Sequence, residues 1–221
     1  MSVDVAVHEH HGFEPFAMAD PFPIYAELRR EEPVMFDERI GYYVVTRYDD
    51  IKATFANWEQ FSSENAQAPV RPAGEPAKRI MTEGGFTAYS GLSARVPPEH
   101  TRIRDVATKA FTPRRYKVLE PLIRENVDRL IDRMLAEGAP ADIVASLAWD
   151  VPTITILTLL GVPIDMIPQV KEWAGSRAAM TWGDLSDEDQ IPHAINLVEY
   201  WNYCQQLVSE AKANPGDDLV G

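Results

Sequence analysis

The 221-residue sequence has a single cysteine, Cys204, and no apolar run that approaches the length of a membrane span. One cysteine cannot form a disulfide within the chain, which agrees with a reducing compartment. A transmembrane helix needs about 20 predominantly apolar residues, so no span is predicted. The N-terminus MSVDVAVHEHHGFEP carries acidic residues where a secretory signal peptide has a basic patch and an apolar stretch. We therefore expect a cytoplasmic protein without a membrane partner.

Basic residues are also scarce. Lys and Arg number 21 against 34 Asp and Glu, which gives a formal net charge of −13. Nucleic acids attract proteins through a positive field, so this balance argues against a nucleic-acid partner. Hydrophobic residues make up 45% of the chain, which is ample for a packed core. The composition predicts a globular protein.

Three of the five histidines lie close together, as His8, His10 and His11. The helical motif of zinc proteases would require a histidine at position 12, which is occupied by Gly12. We therefore predict no metal site in this cluster. Residues 1–19 instead predict a disordered, solvated arm.

The rest of the chain predicts mainly helices, with one hairpin close to the N-terminus. Apolar spacing of three or four residues indicates helices, and short β-branched and aromatic runs indicate strands. The first predicted elements are a helix between Pro21 and Pro33, strands over 34–36 and 42–46, and a helix to about Asn57, opened by a capping box of Thr46 and Asp49.

A long segment over 62–96 is rich in proline and glycine and predicts a loop. Loops of this length in compact domains are usually functional or disordered. The predicted elements after it are helices over about 98–111, 113–138, 145–160, 165–180 and 187–213, with a short β-like piece at 141–144. The helix over 145–160 is apolar on nearly all sides and is therefore predicted to be buried.

Polar side chains converge on the helix that follows this loop. His100 and Arg104 are four residues apart, so their side chains leave the same helical face one turn apart. Together they could grip one anionic group, which makes this face a candidate carboxylate clamp. Ile103, Val106, Ala107 and Ala110 mark a neighbouring stripe that we expect to pack inward with Arg104. The alternative is that Arg104 pairs with a protein carboxylate and His100 packs.

Six segments carry a resemblance to a known family. They are DPFPIYAELRREEPV from Asp20, YYVVTRYDDIKATFAN from Tyr42, FSSE from Phe61, PPEHTRIRDVATKAFTPRR from Pro97, LLGVP from Leu159 and NPGDDLVG from Asn214. In this order and spacing they resemble bacterial cytochrome P-450 enzymes, the haem-thiolate monooxygenases. The resemblance implies a mainly α fold, the N-terminal portion of the cytochrome P-450 fold, with 20–221 as part of a single domain.

The family's haem (heme) cofactor and substrate then imply roles for particular residues. The matching His and Arg hold a haem propionate, so His100 and Arg104 are the expected cofactor-binding residues. The family's substrate loop and two lid helices imply substrate-binding residues, namely Ile80, Met81, Phe86, Tyr89, Leu92, Met180 and Trp182. The alternative is that these side chains are ordinary apolar anchors of a loop or core.

The segment from Arg95 to Lys117 contains seven basic residues and only two acidic residues. An acidic redox partner could be steered to such a patch. We predict that Arg102, Lys109 and Arg114 form a docking face for a ferredoxin, a flavodoxin or a fused reductase. The alternative is a solvated basic helix face.

The family's chemistry requires a cysteine thiolate on the haem iron. Cys204 lies in the sequence WNYCQQ, without the glycine-rich loop that surrounds the family's ligand, so an ordinary helical cysteine is predicted. We expect the iron ligand and the oxygen-activating helix downstream of Gly221, and we expect this chain alone to be inactive, with no catalytic residue of its own.

The expected function is insertion of one oxygen atom from O2 into a small, apolar organic substrate. The first alternative is a truncated haem- or ligand-binding relative without redox activity. The second is a helical interaction module that binds no small ligand.

Overall fold

The computed structural model describes residues 13–16, 18–216 and 219–220, apart from the side chains of residues 110 and 114–116. The described chain is mainly helical with one small antiparallel sheet, as predicted. Its elements are α1 (Phe22–Glu31), β1 (Val34–Asp37), β2 (Tyr42–Val45), α2 (Tyr48–Ala56), α3 (Glu75–Glu83), α4 (Glu99–Ala110), α5 (Pro113–Glu137), α6 (Asp150–Leu159), α7 (Ile167–Trp182) and α8 (Gln190–Ala213).

The first unit of the fold consists of α1 and the hairpin of β1 and β2. The strands pair antiparallel, with Val34 opposite Val45, and Gly41 supplies the left-handed turn residue at φ 69°. Leu28 from α1 and Met35 from β1 are buried against Phe13, which is only 5% exposed. Phe13 lies in the segment that is predicted to be a disordered arm, so part of that segment is packed against the fold. Residues 1–12, with the three clustered histidines, lie outside the described residues.

A buried carboxylate anchors this unit. Asp37 is fully buried and accepts hydrogen bonds from the Arg39 side chain, at 2.7 Å from Nη2, and from the Arg39 backbone N–H. Arg39 also donates to the Phe13 carbonyl and pairs with Glu14 at 2.8 Å. Burial alone would raise the pKa of Asp37, but the hydrogen bonds from Arg39 outweigh it and lower that pKa.

The predicted capping box at the start of α2 is wrong. The helix begins at Tyr48, and its flanking residue Arg47 makes no side-chain cap. Thr46 instead donates its hydroxyl to the Pro33 carbonyl at 3.2 Å. The threonine thus ties the end of β2 to the segment between α1 and β1, because a hydroxyl can satisfy a nearby carbonyl as readily as a helix N-terminus.

The predicted loop over 62–96 contains a helix, α3, and a 3₁₀ turn over Leu92–Ala94. Proline near the start of α3 is compatible with a helix, because the first-turn N–H groups have no intrahelical partner. The prediction of one long loop over 62–96 is therefore wrong, because proline marks loops and the first turns of helices alike.

The long helix predicted after Pro113 is confirmed as α5, and Gly138 follows it at φ 89°. The β-like piece predicted at 141–144 is wrong, since a π-type turn over Val144–Ala148 leads into α6. The helix α6 is also less buried than expected. Leu159 is its only buried residue, because the described chain covers α6 mainly from α5 and α7.

The main core lies between α7 and α8. Val162, Ile167, Val170 and Trp173 form its buried centre, and Tyr200, Tyr203 and Leu207 of α8 pack against it. The apolar spacing of the last helix predicts a buried side made of Ile191, Ile195, Val198, Trp201, Leu207 and Val208. In the structure Ala194 and Leu197 of α8 are buried, whereas Ile195 and Val208 are exposed. Both expected residues are apolar, but the neighbouring helices contact α8 on a face rotated by one residue.

Helix α3 packs on the other side of α8. The approach is tight at Gly84, directly after α3, where an added Cβ would lie 2.4 Å from Cγ1 of Val198. Only glycine allows this approach without movement of the neighbour. The packing sets the position of the chain after α3, where Phe86 and Tyr89 follow.

Candidate active site

The candidate clamp lies in the first half of α4. His100 is half-buried and Arg104 is exposed, one turn apart on the same side of the helix. Among the described residues, neither side chain forms a hydrogen bond or an ion pair. The alternative in which Arg104 pairs with a protein carboxylate is therefore absent from this structure, and both groups are free to contact a ligand.

The packing of α4 differs from the expected inward stripe. No described side chain of α4 is buried, and Val106 is 64% exposed. Arg104 was expected to point inward and is exposed as well. The reason is that α4 contacts chiefly the 3₁₀ turn at Leu92–Ala94, so most of its circumference has no covering element in the described chain.

The candidate redox face lies on the opposite side of α4. At about 100° per residue, Arg102 and Lys109 are turned roughly 160–180° away from the clamp. Both side chains are exposed. Arg114 lies in the first turn of α5, but its side chain lies outside the described residues. Nearby, Arg95 pairs with Glu99 at 2.5 Å, so this basic side chain already has an acidic partner within the chain.

Four of the seven candidate substrate residues meet at one cavity. Met81, Phe86, Tyr89 and Met180 line a cleft of about 200 Å³ between the segment after α3 and the helices α7 and α8. Ile80 and Leu92 are half-buried but are absent from its lining, and Trp182 is absent too, being 58% exposed. The structure thus places four of the predicted substrate residues at one cavity and the other three outside its lining.

A second cleft of about 300 Å³ adjoins the first and shares Phe86 and Tyr89 with it. Trp201 of α8 lines this second cleft, its ring stacked at 5.7 Å from the ring of Tyr89 and set edge-on at 5.9 Å from that of Phe86. The apolar spacing predicts Trp201 only as part of the buried side of the last helix. Its spacing from Leu197 and Cys204 places all three on one side of α8, which was a usable signal.

Arg177 of α7 also lines both clefts, although it is absent from the predicted site residues. Its Nη2 donates to Oε1 of Gln67 at 3.1 Å, and its guanidinium carbon lies 4.5 Å from the centre of the Tyr89 ring. A lone arginine in a helix is usually solvated, so the sequence offered only a weak signal. It is the one charged residue in the described lining of either cleft.

Hydrogen bonds hold the segment before α3 against the connection between α7 and α8. The N–H of Val70 donates to the Thr181 carbonyl at 2.9 Å, and Arg71 pairs with Asp184 at 2.8 Å. Further along, the N–H of Gly74 donates to the side chain of Gln190 at 2.7 Å. Hydrogen bonds between residues that are distant in the sequence thus hold one wall of the cavity against the opposite wall.

Two titratable groups of α8 face the second cleft. Burial raises the pKa of Tyr200 to about 12. Burial also raises the pKa of the Cys204 thiol, although a hydrogen bond with Tyr200 opposes the shift. Both side chains are therefore held in their neutral forms at neutral pH.

No protein-family model matches the chain. Two curated relatives are each 33% identical over 211 residues. Nocardicin C N-oxygenase of Nocardia uniformis subsp. tsuyamanensis is matched by 94% of this chain, and the cytochrome P-450 monooxygenase PikC of Streptomyces venezuelae by 91%. A solved structure, cytochrome P-450 CREJ in complex with (4-ethylphenyl) dihydrogen phosphate, is 67% identical with a TM-score of 0.91 over 96% of the chain. The chain belongs to the cytochrome P-450 superfamily.

The chain spans about half the length of these cytochrome P-450 relatives, covering 49% and 45% of the curated proteins and 53% of the solved chain. Its helices and hairpin are the N-terminal portion of the cytochrome P-450 fold, as the resemblance implied. Within the part of the chain that is described, no helix combines the length and the apolar character needed to cross a bilayer.

The described residues fit the propionate groups of a cytochrome P-450 haem, but they do not fit its iron. A haem propionate needs cationic or N–H donors, and the unpaired Arg104 with His100 offers both. The iron ligand of this family is a cysteine thiolate, whereas Cys204 lies within helix α8 and shares the wall of the second cleft with Tyr200 and Trp201. Cys204 therefore suits a packing role in the cleft wall better than ligation of iron.

Proposed function

We propose that this chain is the substrate-binding part of a haem-dependent monooxygenase that inserts one oxygen atom from O2 into a small alkylated aromatic compound bearing a phosphate group. The observation that carries this proposal is the pair of adjoining clefts, which combines the aromatic side chains of Phe86, Tyr89 and Trp201 with the single cation of Arg177. Aromatic walls select flat rings, and one cation selects an anionic substituent.

Similarity to known proteins supports the same substrate class. The relative that is 67% identical was solved with (4-ethylphenyl) dihydrogen phosphate, a flat ring that carries an ethyl group and a phosphate. The sequence alone suggested an apolar substrate. The proposal keeps the apolar ring and adds the anionic group, because a purely apolar ligand would leave the charge of Arg177 without an anionic partner.

Within this proposal, His100 and Arg104 hold one haem propionate through charge-assisted hydrogen bonds. When bound, the haem supplies the oxidising chemistry, which is a property of the cofactor rather than of the protein. The residues of this chain bind and orient the substrate. Phe86, Tyr89 and Trp201 restrict the ring to a narrow range of orientations and exclude water from its faces.

Electron delivery is assigned to the exposed basic side of α4. Arg102 and Lys109, with Arg114 at the start of the next helix, form the proposed docking face for an acidic ferredoxin, a flavodoxin or a fused reductase. The separation of this face from the clamp supports the assignment, since docking would not disturb the residues that hold the cofactor. A cytoplasmic location remains part of the proposal.

The test uses the holoenzyme that contains residues 1–221, supplied with an electron donor, ¹⁸O2 and 4-ethylphenyl phosphate. We expect one ¹⁸O atom in the organic product and, with carbon monoxide on the reduced protein, the shifted Soret band of a thiolate ligand. Tight binding of the phosphate ester without any labelled product would contradict the proposal. That outcome would favour the alternative of a ligand-binding relative without redox activity.

A further inference from the structure

We infer that Arg177 binds the phosphate group of the substrate and sets the preference of the enzyme for phosphate esters over the corresponding free phenols. This inference rests on the proposed function and assigns one part of it to one side chain. Arg177 lines both clefts and is half-buried, so its guanidinium lies at their junction rather than in open solvent.

No described carboxylate pairs with the positive charge of Arg177. Within the described part of the chain, its contacts are the neutral amide of Gln67 and the ring of Tyr89. Withdrawing a guanidinium from water without an anionic partner is unfavourable, so such charges are usually paired. In a chain of net charge −13, the lack of a carboxylate at this position leaves the anionic partner to a ligand.

The orientation of Arg177 is fixed by contacts on two sides. Gln67 accepts from Arg177 and from the N–H of Gly91, while its amide donates to Ser93 at 2.8 Å. Tyr89 covers the guanidinium plane, and that ring is in turn stacked on Trp201. A guanidinium held in this way loses less conformational entropy when it binds a ligand.

The guanidinium of Arg177 has N–H donors left for a phosphate group. The guanidinium carries five N–H donors, and within the described chain only Nη2 is used, in the bond to Gln67. Two of the remaining donors suffice for a bidentate bond to a phosphate. The same position brings the aromatic ring of a bound ester against Phe86 and Trp201, which line the second cleft beside Arg177. One ligand can therefore contact the cation and the aromatic wall together.

The experiment measures equilibrium binding by calorimetry, so that the readout does not depend on turnover. The ligands are 4-ethylphenyl phosphate and its uncharged counterpart 4-ethylphenol, and the proteins are the wild-type holoenzyme, Arg177→Gln and Arg177→Lys. We expect Arg177→Gln to weaken binding of the ester roughly ten- to a hundredfold, with binding of the phenol changed less than about threefold. Arg177→Lys keeps the charge and should retain more of the affinity for the ester.

Arg79→Gln is the matched control, because it removes one exposed charge from α3 without touching either cleft. It should leave the ratio of the two affinities unchanged. Equal binding of the ester by wild type and Arg177→Gln would overturn the assignment of Arg177 while the proposed function stands. A wild-type holoenzyme that binds neither ligand would instead overturn the proposed substrate class and this inference with it.

Discussion

At the scale of single residues, the clamp of His100 and Arg104 leads to the first prediction. A hydrogen bond to a charged group contributes about 1.5–3 kcal/mol, so loss of one partner should weaken haem retention roughly ten- to a hundredfold. Arg104→Ala should lower haem content more than His100→Ala, because Arg104 carries a permanent charge. The measurements are the haem-to-protein ratio and the rate of haem loss from the holoenzyme.

Arg102→Ala is the control for that prediction, since it removes the same charge from the opposite side of α4. It should leave haem retention at the wild-type level. Wild-type haem content and dissociation rate in both clamp variants and in their double variant would show that this chain does not hold the propionate there.

Tyr200 gives a second prediction, on stability at alkaline pH. Burial raises its pKa from 10.0 to about 12, so the folded state favours the neutral phenol. Below pH 10 both states are protonated and the contribution is fully present, whereas between pH 10 and about 12 only the unfolded state ionises. Stability should therefore fall as the pH rises through this window. Tyr200→Phe should make the fall less steep, as measured by urea unfolding midpoints.

At the scale of residues, only part of the candidate site could be predicted from the sequence. The spacing of His100 and Arg104 follows from helix geometry alone, so their shared face was predictable. The role of Arg177 was not, because it depends on Gln67 and Tyr89, which reach it only through tertiary packing. A single basic residue in a helix carries no local sign of that environment.

At the scale of elements, the contact between α3 and α8 leads to a third prediction. A methyl group at Gly84 would meet the Val198 side chain at 2.4 Å, so Gly84→Ala should lower stability by about 1–3 kcal/mol. The shift should also displace Phe86 and change the product distribution. Urea unfolding and product analysis are the measurements.

Val198→Ala provides the matched test, because it removes the atoms that the new methyl group would meet. The double variant of Gly84→Ala and Val198→Ala should be more stable than the sum of the two single effects indicates. Purely additive effects would mean that the cost of the alanine arises elsewhere than at this contact.

A fourth prediction concerns the outer side of α4. Charge reversal at Arg102 and Lys109 should slow association with the redox partner at least about tenfold at low salt and should reduce the salt dependence of that rate. The control is charge reversal at the exposed Arg30 of α1. An association rate that responds equally to both sets of variants would indicate a general effect of net charge instead of docking on α4.

Elements were predicted well where one local signal dominates. The long helix α5 has regular apolar spacing and a terminal glycine, and it was placed within about one residue. The helix α3 was missed because its start contains a glycine and a proline, which also mark loops. The exposed residues of α8 were misassigned because apolar spacing identifies a stripe, whereas the neighbours decide which part of the stripe is covered.

At the scale of the whole molecule, several described helices carry exposed apolar side chains. These side chains lie on α4, α5, α6 and the turn before α6, with the exposed members Val106, Val118, Leu135, Ile143, Val144, Trp149 and Ile156. Exposed apolar surface of this kind usually belongs to an interface.

The fifth prediction follows from that surface. We propose that these faces are covered, in the holoenzyme, by the haem and by the part of the cytochrome P-450 domain that supplies the iron ligand. Residues 1–221 produced alone should therefore bind a hydrophobic dye and aggregate. With added haem they should give no thiolate-type carbon-monoxide spectrum, since Cys204 lies within α8 in the wall of the second cleft. Sedimentation, dye fluorescence and the reduced carbon-monoxide spectrum are the measurements. A monomer with a cooperative melt and a thiolate-type band would contradict the proposal, and loss of that band in Cys204→Ser would identify Cys204 as the ligand.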